Sequence, residues 1–199
     1  MFNPITQALD KTEELLGHSP HPAVISLPLG AWTASNILDG MAIATNDHQF
    51  DDAARWSMGI GLAGAVVSVA TGLRDYGRID PDSPSHAIAT THALGNAVVG
   101  TLFATSYVIR TKDHGMGRPT RLSARLLGLA GGALSMYTAW LGGVLVSHYG
   151  ESVGTDALPY IRERQDGGDH DHHADHGGLH GRDRLDSHAP LGRHHDMGA

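Results

Sequence analysis

Four apolar stretches, at about residues 23–45, 53–73, 86–109 and 124–149, constrain this chain more than any other feature. Each is close to the ~20 residues that an α-helix needs to cross ~30 Å of hydrocarbon. The second and fourth carry charge only at their ends, whereas the first contains Asn36 and Asp39 and the third His92 and Asn96. A water-soluble bundle would repeat a polar face along each helix. The run through Gly59, Gly61, Leu62, Ala63, Gly64, Ala65, Val66 and Val67 has no such face. The expected fold is therefore all-α: a four-helix antiparallel transmembrane bundle spanning residues 23–150. Short polar connections at residues 46–52, 74–85 and 111–121 make sequential helices antiparallel neighbours. Ser83 stands where it would cap the third helix.

Flanking segments read differently. Residues 1–22 form an N-terminal arm that is either solvated or an interfacial helix, with Asn3 as its cap and Pro4 at the first helical position. With Asp10, Glu13 and Glu14 and no apolar run, the arm does not read as a signal peptide. Residues 151–199 are expected to be a disordered His/Asp-rich tail, because from Arg162 onward there is almost nothing to bury. The mean hydropathy of -0.18 averages these unlike parts. The formal charge of -7 is for the same reason a poor guide to partners. The chain has no Cys, which excludes disulfides, thiolate metal sites and cysteine-ligated clusters.

Small residues suggest how the helices pack. Gly128 and Gly132 form G-x-x-x-G, and Gly131, Ser135, Ala139 and Gly143 continue a small stripe. Such stripes let backbones approach in lipid, and the same notches would admit a flat cofactor. Gly59, Gly61 and Gly64 spell G-x-G-x-x-G, but inside an apolar helix they read as packing notches, not a dinucleotide site. Asp39 is expected to pair with Arg55 or Arg125. The basic group Arg110, Lys112, Arg118, Arg121 and Arg125 places the third loop in the cytoplasm of a cell (inner) membrane, with extracytoplasmic termini.

Antiparallel threading gathers His18, His21, Asp75, Tyr76, His86, His92 and His148 at one membrane face, away from the loop residues His48 and His114. His92 is the deepest, roughly 9 Å below His86 at 1.5 Å per residue. Asn96 follows it at i+4, and His148 shares a face with Trp140 and Val144. Ionisable groups inside a membrane face the bundle interior and are functional candidates by default. Imidazoles bind haem iron, zinc or copper, or relay protons. Asp75 or Asn96 would orient a ligand through its second nitrogen. In the tail, His170, His172, His173, His176 and His180 with interleaved aspartates suit weak chelation of Zn, Cu or Ni, or simply a polar, pH-responsive segment.

The order His21-Pro22, Leu27-Pro28-Leu29-Gly30, Asp39, then Gly72, Asp75 and Tyr76, then His92 and Asn96, then Gly142-Gly143-Val144-Leu145-Val146 before His148, resembles the DUF2231 family of bacterial predicted membrane proteins. The resemblance covers roughly residues 18–155. It implies a four-helix membrane domain. Some relatives are fused to, or encoded near, Rieske-type iron–sulfur domains, which implies electron transfer and a cytochrome b-like bundle. Lacking Cys, this chain carries no such module. The leading expectation is haem b held by His92 with His148, His86 or His21. The alternatives are metal handling through the tail and a structural subunit of a larger membrane complex. Expected partners are the bilayer, a redox protein or larger complex and further copies of the chain, with no nucleic acid. A binding or electron-transfer role is favoured over catalysis, since no triad, P-loop or carboxylate pair can be placed.

Overall fold

A computed structural model describes residues 4–152 and is all-helical over that range. The tail, with His170, His172, His173, His176 and His180, lies outside the described residues, as does Asn3. The elements are α1 (Pro4–Leu16), α2 (His21–Val24), α3 (Ser26–Thr45), α4 (Gln49–Tyr76), α5 (Pro84–Gly115) and α6 (Leu122–Ser147). The arm expected to be either solvated or helical is helical over α1. The first apolar stretch is divided at Ile25 between the single turn α2 and α3.

Among the described residues three helices, not the expected four, are long and apolar enough to cross a membrane: α4, α5 and α6, of 28, 32 and 26 residues. The exception is α3. At 20 residues it reaches about 30 Å, but Ser35, Asn36 and Asp39 lower its apolar content. Those groups are turned inward. Ser35 and Asp39 are buried, and Asn36 donates to the Gly128 carbonyl at 3.2 Å.

Packing divides the bundle into two tight hairpins, α3 with α4 and α5 with α6, joined along the lighter α4–α5 and α3–α6 seams. Hydroxyls stitch each hairpin. Ser35 donates to the Ala54 carbonyl at 2.8 Å, Ser57 to Ala31 at 2.7 Å, and Ser106 to Ala124 at 2.7 Å. In lipid such bonds and close backbone approach replace the hydrophobic drive. Between the hairpins, Trp32 stacks on Phe103 at 4.2 Å, with Met58 and Val99 completing the core. Gly61 faces the Trp32 indole and Gly131 the Phe103 ring, so a Cβ at either would collide with the stack. The glycines of the G-x-G-x-x-G run thus serve packing: Gly59 meets Tyr107, Gly61 meets Trp32 and Gly64 meets Leu27.

The bundle is more polar inside than outside. Ser68, Thr71, Ser106, Ser135 and Thr138 are buried, while Val66, Leu73, Leu94, Leu129, Met136 and Trp140 are more than half exposed. An outward apolar surface of this extent is that of a protein facing hydrocarbon, since soluble monomers rarely expose large contiguous apolar patches.

Candidate functional site

At one end of the bundle α2 and α5 place His21 and His92 near enough for their charges to interact. His21, in α2, rests in a notch on α4, where a Cβ on Gly72 would lie 2.8 Å from its ring. Its Nδ1 lies 2.9 Å from the Thr71 hydroxyl, whose own proton points to the Ser68 carbonyl at 3.0 Å. The Thr71 oxygen is therefore left to accept from His21. Burial, first of all, holds the His21 pKa below the usual 6.5, and His92 adds to that lowering. Asp75 and the Ser68 carbonyl act in the opposite direction.

His92 sits in the matching notch on α6, with its ring 3.0 Å from where a Gly142 Cβ would be. Its Nδ1 is 2.8 Å from the Thr138 carbonyl. A carbonyl only accepts, so Nδ1 carries the proton. Nε2 then accepts from the Asn96 amide at 3.0 Å. Asn96 in turn accepts from the Thr138 hydroxyl at 3.0 Å. Thr138 thus meets His92 with its carbonyl and Asn96 with its hydroxyl, closing a ring between α5 and α6.

Asp75 lies beside this pair without bonding to it. It accepts from Ser19 and from Ser152, each at 2.6 Å, while the Ser19 oxygen takes the His21 main-chain N–H at 3.2 Å. The remaining expected residues stay apart. His86 tilts against Tyr76 at 5.1 Å, and Tyr76 bonds Thr90 at 2.9 Å. His148, at the end of α6, is exposed and edge-on to Tyr149 at 4.7 Å. The α6 face of Trp140 and His148 turns outward, and Thr138, Leu141 and Leu145 occupy the inward positions. Ser83 stands at the α5 N-cap, but its hydroxyl meets the Asp80 carbonyl and Ser85 and makes no capping bond.

Most glycine notches on α5 and α6 are filled by side chains, whereas Gly100 and Gly143 meet nothing within 4 Å. Gly95 is filled by Thr138, Gly131 by Phe103 and Gly142 by His92, while Gly128 and Gly132 meet Asn36. Among the described residues, no group of three or more His, Asp or Glu side chains is placed to hold a metal ion.

The opposite end carries a charge lattice that sequence reasoning assigned only in part. Arg110, 1% exposed, grips Asp39 with both terminal nitrogens at 2.7 and 2.5 Å. Arg125 bonds the Asp39 carbonyl at 2.8 Å and Asp51 at 2.7 Å. The expected pairing of Asp39 with Arg125 is thus present but secondary, at 3.9 Å, and Arg55 takes no part in it. Both carboxylates belong to the first hairpin and both guanidiniums to the second. Arg110 was counted with the loop charges because nothing in the sequence marks how far α5 continues beyond its apolar stretch.

A family model described as a predicted membrane protein matches residues 17–156. Neither a curated protein nor a solved structure matches the sequence.

Proposed function

The chain belongs to the DUF2231 family, and from that premise we propose that it is a bilayer-embedded binding subunit of a redox system, with the His21–His92 pair as its working site. The proposed group is haem b, which His21 and His92 would hold through their imidazoles and which would supply one-electron chemistry when bound. One observation carries the reading: two imidazoles, from α2 and α5, share one end of the bundle, each with Nδ1 tied to an oxygen. That is the arrangement in which the other ring nitrogen serves as a ligand. The donors therefore suit iron, with Asn96, an exposed side chain, as the group to be displaced from His92. The notches at Gly95, Gly128, Gly131, Gly132 and Gly142 lend no support, being filled by side chains.

In this reading α3 crosses the bilayer beside α4, α5 and α6, its Asp39 neutralised by Arg110. The Arg110–Arg125 end lies in the cytoplasm and the histidine pair on the outer side of the cell membrane, following the denser basic cluster.

A second reading is a structural subunit without a cofactor, with redox or other partners bound elsewhere. The closed ring of His92, Asn96 and Thr138 favours it, since every polar atom in that ring already has a use. A visible spectrum of protein solubilised from its own membrane, oxidised and then dithionite-reduced, separates the two. The redox reading expects a Soret band with reduced α and β bands, lost in His21→Ala and in His92→Ala. A featureless spectrum overturns it and leaves the structural one.

A further inference from the structure

At the end of the bundle remote from His21 and His92, the α3–α4 and α5–α6 connections enclose a cavity of about 330 Å³. Its walls include Arg55, Arg110, Arg118, Asp51, Asp52 and His114. Two of the nearby guanidiniums are committed: Arg110 to Asp39 and Arg125 to Asp51. Two are held less firmly. The Arg55 side chain is only 12% exposed, and its ion pair with Asp52 is long, at 3.7 Å. Asp52 instead meets His114 at 2.6 Å, and the buried Nε of Arg55 finds no acceptor. Arg118 is exposed and acts on Asp113 only through its charge.

Charge points the same way. Arg55, Arg110, Arg118 and Arg125 outnumber Asp39, Asp51 and Asp52 by one positive charge, before any contribution from His48 or His114. A loosely held guanidinium beside an exposed arginine, both lining one cavity, suits an oxyanion.

We propose that this cavity binds a phosphate group through Arg55 and Arg118. A guanidinium presents its donors in a planar fork that matches phosphate oxygens. The cavity is larger than one phosphate needs, which leaves room for a substituent. Trp56, 63% exposed, adjoins Arg55, whose guanidinium lies 5.2 Å from its ring. Tryptophans so placed lie at the level of lipid headgroups. A phospholipid headgroup and a free phosphate offer the same chemistry here, and the test distinguishes them.

The experiment uses the full chain in detergent micelles, reading thermal stability as each probe is titrated, since a ligand of the folded state raises Tm with concentration. The probes are inorganic phosphate, a short-chain phosphatidylglycerol, and a diacylglycerol of equal chain length as the phosphate-free control. Binding is expected for one or both phosphate probes, weakened about tenfold or more in Arg55→Gln and in Arg118→Gln. Arg118 is exposed, so its variant keeps the test decisive if Arg55→Gln misfolds. Binding of inorganic phosphate alone identifies a free anion, and binding of phosphatidylglycerol alone a headgroup. No response to either, an equal response to diacylglycerol, or unchanged affinity in Arg118→Gln overturns the proposal.

Discussion

An aspartate on the inward face of a helix in lipid must find a cation, and Asp39 finds Arg110. Removing one member of a buried pair is costlier than losing the pair, because the other is stranded without water. Asp39→Ala is therefore expected to destabilise the folded protein by about 3–5 kcal/mol. Asp39→Asn, which keeps the shape and one acceptor, should cost less. Thermal unfolding in one detergent compares the two directly. His21 makes a second prediction. Its folded pKa is depressed below 6.5 by burial, so the unfolded chain binds the proton more readily. Its contribution to stability is then complete above pH 6.5 and is lost as pH falls through the lower folded value. A pH series of melting temperatures should show a decline below about 6.5 that is absent in His21→Gln. The identity of Asp39 as a buried ion-pair member was legible from its place in an apolar helix. The choice of Arg110 was not, because it depends on how far α5 extends and how it rotates. The Thr138 bond to His92 was also out of reach, since a main-chain carbonyl has no sequence signature.

Helices here differ in what holds them. α1 touches the rest of the molecule through charge: Arg74 bonds Asp10 and Glu13, and Arg78 bonds Glu13 at 2.7 Å. The Arg78 bond, first, and then Arg74 hold the Glu13 carboxyl below its usual 4.5. That ionic attachment is present above pH 4.5 and is lost as pH falls below it. Arg74→Gln should release α1 and leave the bundle folded. Hydrogen exchange along residues 4–16, rapid in the variant and protected in the parent, is the measurement. By contrast α4 and α6 are held by close approach. Gly61→Val drives a branched side chain into the Trp32 ring, and Gly131→Leu does so at Phe103. Each is expected to cost at least the ~1–3 kcal/mol of an overpacked core, read from the melting temperature. Hydropathy exposed α4, α5 and α6 in the sequence because their long central runs are mainly apolar. It overstated α3, whose Ser35, Asn36 and Asp39 bond to partners on α4, α6 and α5 that no local window contains.

Taken whole, the bundle presents hydrocarbon-facing side chains to the outside and hydroxyls and ion pairs to the inside. The chain has no cysteine, so single-cysteine variants report topology without a background. Cysteines at Gly117, in the α5–α6 connection, and at Asp80, between α4 and α5, are expected to react with membrane-impermeant reagents from opposite sides. Labelling of both from one side would overturn the antiparallel membrane threading. The distribution of charge between the hairpins also bears on how the protein is made. Asp39 and Asp51 leave the ribosome first, on α3 and α4, and their cations follow on α5 and α6. During synthesis the leading half carries unmatched carboxylates until the trailing half arrives, and that half cannot settle alone with its guanidiniums. Each half is thus an incomplete electrostatic object that selects the other. Chains severed between α4 and α5 and expressed together should find one another in the bilayer, while either fragment made alone should be degraded.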